Sequence, residues 1–306
     1  MTFTGFLRRA FGSAFFFLVI LSQALAAEPG GYVFCAYNLR NWLRMERLEE
    51  GKSVLNAGKP ESEKKRVVEI LVKISPDVLG VCEVGTEEDV RDLQRRLKQA
   101  GVDLPHVERA HGGDSTRSLA LLSRFPVTVR NSQTTLGYKI GGQSFAMQRG
   151  ILDATVELHE DLKVRFLGVH LKSMRDVDAA DQALMRRNEA HLLRNHIDDI
   201  LARNTQERIL CYGDFNEHRN EPSISAIIGS RASDTYMTDL SLRDVNDQVW
   251  THFWDAADSY ARLDYVFTSR AMRPYIDLRN CRIHHERDFD KASDHRPLVI
   301  RIKESL

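Results

Sequence analysis

Six short apolar runs end or begin on groups that can do chemistry. Asn38 and Arg40 follow the run at 32–36, and Glu83 follows Leu79-Gly80-Val81-Cys82. His170 closes the run at 164–169, and Asp214 and Asn216 follow the one at 208–212. Asp264 sits inside Arg262-Leu263-Asp264-Tyr265, and Asp294-His295 stand before the run at 297–302. A charged group beside a buried strand is costly unless something pairs with it. Each has an ordinary reading alone: Asp214 in a turn, Glu83 on the surface, His170 as a satisfied core histidine. Together, four carboxylates, two imidazoles and two amides at strand ends point to one site.

The residue types fit one reaction. Magnesium-class cations take oxygen ligands from one or two carboxylates, water and substrate phosphate. Glu83 supplies such a ligand, with Asp294 as a helper. An imidazole oriented by a buried carboxylate transfers protons, and His295 with Asp264 would be that pair. Asparagine amides and a second histidine donate hydrogen bonds where negative charge builds. The expected chemistry is metal-assisted attack of water on a phosphoester.

The elements that must position these groups are strands at 32–36, 78–82, 119–123, 151–158, 164–170, 208–212, 263–268 and 297–302, with helices between some of them. Val67, Ile70, Leu71 and Ile74 give a helix over 62–74. Thr86-Glu87-Glu88-Asp89 reads as a capping box opening a second helix that stops at Gly101. A third spans 179–202, with Leu184, Leu192, Leu193, Ile197 and Leu201 as its stripe. Strands from 119 to 170 follow one another without helices, so simple βαβ alternation does not hold. Antiparallel pairing in stacked sheets with outer helices is expected.

In chain order the motifs YNLRN, CEVG, LALLSRFP, RGILDATV, GVHLKS, GDFNEH, ARLDYVFTS and SDHRP resemble those of the endonuclease/exonuclease/phosphatase superfamily, the deoxyribonuclease-I-like phosphoesterases. The resemblance spans about residues 33–302. It implies an α/β, four-layer αββα sandwich with the active site at one end of two packed mixed sheets. It places Asn38 and Glu83 in the metal site, with Glu83 as main ligand and Asp294 a metal or phosphate residue. It puts His170 on the scissile phosphate, Asp214 and Asn216 around the nucleophile, and Asp264 behind His295. Arg40 stands where some abasic-site enzymes carry a second metal-binding acid, which favours a simpler metal site. By position, Arg117 and Arg40 are candidate phosphate contacts and Glu108 a candidate carboxylate partner of His170. The implied cofactor is Mg²⁺, with Mn²⁺ or Ca²⁺ as alternatives.

The 306 residues carry 43 Lys+Arg against 43 Asp+Glu, so no bulk positive charge holds nucleic acid and any grip on phosphates is local. Residues 1–26 read as a secretory signal peptide: Arg8 and Arg9, an apolar run at 15–21, then Ala24-Leu25-Ala26. Its removal leaves a slight acidic excess and a single domain over 27–306, expected to be monomeric, periplasmic or extracellular, and without stable membrane insertion. Of the four cysteines, Cys35, Cys82 and Cys211 lie in strand-like runs and most read as buried thiols; one disulfide among the four is open, and the sequence does not choose the pair. His191 and His196 are five apart, which is not the HExxH of a zinc protease. His284-His285 read as surface, and Trp250 and Trp254 as core packing or walls of a substrate pocket.

Three functions fit. A nuclease acting on nucleic acid comes first. A phosphodiesterase or phosphatase on a lipid headgroup or small metabolite is the second, although no exposed apolar hairpin is evident and the nearest segment, 138–147, is polar. A non-enzymatic binding protein on the same scaffold is the third.

Overall fold

The computed structural model describes residues 1 and 30–306, so the signal-peptide reading falls on residues that, Met1 aside, lie outside those described. In the first strand, Phe34 and Ala36 enter one apolar core while Val33 and Cys35 enter another. Side chains alternate faces with period two. A strand apolar on both faces must therefore sit in a sheet covered on both sides.

The strands are β1 (Tyr32–Trp42), β2 (Met45–Glu49), β3 (Lys52–Ala57), β4 (Val78–Val84), β5 (His106–Ala110), β6 (Ser118–Ser123), β7 (Val127–Arg130), β8 (Gly137–Ile140), β9 (Gln143–Ala146), β10 (Leu152–His159), β11 (Leu162–His170), β12 (Ile209–Asp214), β13 (Thr238–Asp239), β14 (His252–Trp254), β15 (Ser259–Ala261), β16 (Asp264–Thr268), β17 (Arg282–Ile283) and β18 (Leu298–Ile302). The helices are α1 (Glu61–Ile74), α2 (Glu87–Gln99), α3 (Gln182–Arg203) and the short α4 (Pro222–Ile228). One six-stranded sheet runs β17-β18-β1-β4-β6-β5 and the other β13-β16-β12-β11-β10-β7.

Three cores order the layers. Phe34, Phe166, Tyr212 and Ile300 fill the space between the sheets. Val33, Cys35, Ile70 and Leu93 join the first sheet to α1 and α2, and Val169, Cys211, Leu193 and Ile224 join the second sheet to α3 and α4. The order is α, β, β, α, the sandwich expected from the motifs. Gly80 lets the sheets close: a Cβ there would stand 2.1 Å from the Tyr212 ring.

Each sheet holds a parallel pair joined across a helix, β1 with β4 over α1 and β11 with β12 over α3. The other strand pairs are antiparallel, including β1 with β18. The Thr86 box is present: Thr86 N–H donates to Asp89 Oδ2 over 2.8 Å, and its side chain accepts from the Asp89 amide.

Several expectations change. The segment around 138–147 is a β8–β9 hairpin. Leu184 faces solvent at 41% exposure and Met185 turns inward in its place, while Leu193, Ile197 and Leu201 are buried as expected. The apolar hairpin that the sequence did not reveal is β2–β3, where Leu48 and Leu55 are 79% and 76% exposed. Trp254 is exposed, not core. His284 is half-buried, whereas His285 is exposed. All four thiols are free, with Cys35, Cys82 and Cys211 buried. Among the described residues no helix is long and apolar enough to cross a membrane.

Candidate active site

Register brings the polar strand ends to one edge. His170 pairs with Asp214 across the parallel β11–β12 ladder, and Asp214 pairs with Asp264 across the antiparallel β12–β16 ladder. In the other sheet Asn38 is opposite Cys82, one residue before Glu83. The loop entering β18 brings Ser293, Asp294 and His295 to the same edge. Ser293 Oγ donates to the Asn38 carbonyl over 2.8 Å and accepts from the His295 amide.

Two backbone irregularities aim the side chains. The β4 ladders slip on both sides of Glu83, which has φ +60°. Arg40 and Asn41, in the facing bulge of β1, have φ +47° and +60°. Left-handed backbone is disfavoured for such residues, and it concentrates at functional sites. Its effect here is concrete: Asn41 N–H donates to Glu83 Oε2 over 2.9 Å. On β12, Gly213 has φ +143°, and a Cβ there would lie 1.9 Å from the Val169 carbonyl oxygen. Only glycine permits that approach, which seats Asp214 beside His170. Asn216, at φ +48°, turns back, its amide donating to the Leu171 carbonyl and its N–H to Asp214 Oδ1.

The centre is a buried polar cluster. Asp264 Oδ2 is 2.8 Å from His295 Nδ1. Asn38 Nδ2 donates to Asp214 Oδ2 over 3.0 Å and lies 3.4 Å from both Glu83 Oε1 and His295 Nε2. Asp214 Oδ2 is 3.6 Å from His170 Nε2 and from His295 Nε2. Asp294 is at the rim, with Arg40 Nε 3.9 Å from its Oδ2. The structure thus brings together Asn38, Glu83, His170, Asp214, Asp264, Asp294 and His295, with Asn216 bracing Asp214 and Arg40 at the rim.

Burial and charge set the protonation preferences. Burial alone would depress His295, but Asp264 and Asp214 outweigh it and hold its pKa well above the usual imidazole value. Burial, reinforced by Arg149, His295 and Arg117, holds His170 well below it. Burial raises Asp214, with Asp264 and Glu83 adding and His295 opposing. The buried Nδ1 of His170 has no partner.

The Glu108 assignment is a correction. Glu108 lies on β5, the outer strand of the first sheet, where it accepts from Ser132 over 2.7 Å and pairs with Arg130 at 3.1 Å. Arg117 is anchored beside the site: its Nε donates to Asn41 Oδ1 over 2.9 Å.

The sequence reading also passed over several residues. Arg149 is buried, pairs with Asp114 at 3.1 Å and keeps its Nε without a partner. Glu189 on α3 is fully buried and accepts the backbone N–H groups of Gln148 and Lys172, over 2.9 and 2.7 Å. It holds the loops bearing Arg149 and Lys172. Arg296 is buried, donates to Asp244 over 2.6 Å and stacks on Trp250, fixing the loop ahead of His252. The one available signal was Arg296 in SDHRP, a basic residue between a loop and a buried strand.

A sequence profile of the Endonuclease/Exonuclease/phosphatase family matches residues 54–295. The chain belongs to that family. The match takes in the site residues from Glu83 to His295; Asn38 and Arg40 precede it. Among solved structures, this family member is similar to an endonuclease/exonuclease/phosphatase family protein from Leptotrichia buccalis, at 16% identity and TM-score 0.60, covering 89% of this chain and 99% of that one. Sphingomyelinase C from Streptomyces griseocarneus matches at 14% identity and TM-score 0.60, covering 89% and 99%. TDP2 from C. elegans matches at 18% identity and TM-score 0.56, covering 89% and 75%. At such identities the likeness is one of fold. No curated protein matches the chain.

Proposed function

We propose that this protein is an exported, divalent-cation-dependent phosphodiesterase of the nuclease type. The observation that carries the reading is the four-residue cluster of Asn38, His170, Asp214 and His295, whose polar atoms face one another at one edge of the sandwich. Asp264 fixes the His295 tautomer and stabilises the imidazolium that forms as His295 takes the proton of the attacking water. Asp214 orients that water. His170, neutral because it is buried, and the Asn38 amide donate hydrogen bonds to the phosphoryl oxygens as charge builds there.

The donor set fits a magnesium-class cation. The Glu83 carboxylate is partly exposed, and its hydrogen-bond donors are the Asn41 amide and a long contact from Asn38. Glu83, helped by Asp294, would hold such an ion through hard oxygens, whereas the Asn38 oxygen accepts from the Arg40 backbone N–H. Bound there, such an ion would supply charge neutralisation at the phosphoryl group. Arg117 and Arg149 favour a phosphate track beside the site. Phe253 and Tyr260 stack at 4.6 Å on the β14–β15 hairpin, and Trp254 is 59% exposed, a surface suited to unpaired bases.

One observation favours a lipid-headgroup substrate instead. Leu48 and Leu55 are exposed on β2–β3, and Arg47 ties that hairpin to the Asn41 carbonyl over 2.7 Å. The deciding experiment offers the purified chain single- and double-stranded DNA, RNA, sphingomyelin vesicles and bis-p-nitrophenyl phosphate, with EDTA and then Mg²⁺, Mn²⁺ or Ca²⁺ added back. Nucleic acid cut only with added cation is the expected result. Intact nucleic acid with cleaved sphingomyelin overturns the nuclease assignment, and EDTA-resistant turnover overturns the cation requirement. Sequencing the N-terminus of secreted protein tests export, with Ala27 expected first.

A further inference from the structure

His252 faces His295 across an isolated antiparallel bridge. The backbone locks the pairing: Phe253 N–H donates to the Asp294 carbonyl over 2.9 Å, and Arg296 N–H to the Thr251 carbonyl over 2.7 Å. Directly opposed residues keep their Cβ atoms about 5 Å apart. The two imidazole rings accordingly have centroids 4.7 Å apart. Asp294 completes a triangle, its Oδ2 4.0 Å from His252 Nε2. One ligand atom from each of the three residues lies within 4.8 Å of the others.

We infer that His252, Asp294 and His295 form a second, zinc-class metal site that inhibits the enzyme when filled. Two imidazoles and one carboxylate with an open fourth position are a donor set for tetrahedral zinc. Magnesium, which prefers an octahedron of oxygens, competes poorly for it. The other close group, Asp214, Asp264 and His295, is buried throughout, and Asp264 is already committed to His295 Nδ1. The His252 group opens at the rim, with His252 and Asp294 side chains 20% and 34% exposed. Arg40, the cation nearest Asp294, is half-exposed and can swing into solvent.

The inhibitory effect rests on the hydrolase reading above. An ion held by His295 and Asp294 would take away the base and a carboxylate of the proposed Mg²⁺ site together. The proposed reaction assigns His252 no step, so its role would be to sense that ion.

The test titrates zinc chloride into the full chain in excess Mg²⁺ by calorimetry and follows hydrolysis in parallel. The wild type, His252→Phe and His252→Gln are compared, with circular dichroism checking that each folds. One zinc ion should bind the wild type and suppress turnover. Both variants should keep Mg²⁺-dependent activity while zinc affinity and inhibition fall by about 100-fold or more, beyond the cost of losing an outer-shell partner. Unchanged zinc affinity in both variants, or no zinc binding to the wild type, overturns the site. If every substrate stays intact while zinc binding still depends on His252, the hydrolase reading fails and the metal site stands.

Discussion

The Asn38 amide on one sheet donates to the Asp214 carboxylate on the other over 3.0 Å. A second bond, between Asp264 of the second sheet and His295 of the loop entering the first, spans the same join at 2.8 Å. The candidate site lies on the seam between the sheets, so changes in how they meet reach these side chains directly.

The proposed proton-transfer pair gives the sharpest test. His295→Ala should lower turnover about 10²–10⁴-fold with the far-ultraviolet circular dichroism unchanged. Full activity in that variant would rule His295 out as the base.

The acid limb of the rate profile follows from the charges around His295. Its pKa is raised, so the protonated, inactive imidazole persists above pH 6.5 and turnover should keep rising as pH climbs past that value. Asp264→Asn removes the strongest support for the imidazolium. The inflection should move to lower pH and the maximum rate should fall; an inflection that stays put would place the titrating group elsewhere.

Glu83 is expected to matter through the cation. Glu83→Gln keeps the shape and loses the charge. Its half-saturating Mg²⁺ concentration should rise by about tenfold or more, and excess Mg²⁺ should recover part of the rate. Equal Mg²⁺ dependence in both proteins would detach Glu83 from the metal.

Gly213→Ala tests the strand approach. The added methyl meets the Val169 carbonyl oxygen and the backbone has φ +143°. A loss of about 1–3 kcal/mol in urea unfolding is expected, with a larger loss of activity because His170 and Asp214 separate. A variant as stable and active as the parent would show that the strands tolerate the wider spacing.

Stability at low pH should depend on Asp153. It is fully buried on β10, accepts from Arg165 over 2.5 and 2.7 Å, and lies 2.8 Å from His196 Nε2 on α3. Burial would raise its pKa, but His196 and Arg165 outweigh that and hold it below the ordinary value. A depressed carboxylate stabilises above its unfolded pKa of about 3.9, and that contribution is lost as pH falls through the lower folded value. Denaturation midpoints should therefore drop below about pH 4 in the wild type. Asp153→Asn should be less stable at neutral pH and show a flatter acid limb.

Strand ends were legible because a carboxylate or imidazole closing an apolar run has few cheap explanations. The Thr86 cap was legible because its hydrogen bonds are local. Glu83 was legible as a residue but not in its pose, since nothing in Cys-Glu-Val-Gly announces a left-handed backbone. Glu189 was invisible: a glutamate in the charged helix Gln182–Arg203 looks solvated, and only the fold shows two loop amides reaching it. Leu184 is the converse, apolar and yet outside. Glu108 misled because its place in the order of motifs says nothing about which strand becomes an edge. Arg149 was passed over because its neighbour Asp114 lies 35 positions away in sequence, beyond any local pattern.

β1 zips against β18, and the loop leading into that last strand carries the imidazole opposite Asn38. Asn38 and His295 therefore meet only once β18 has been made and has docked on β1, so a chain stopped before residue 295 cannot assemble the cluster.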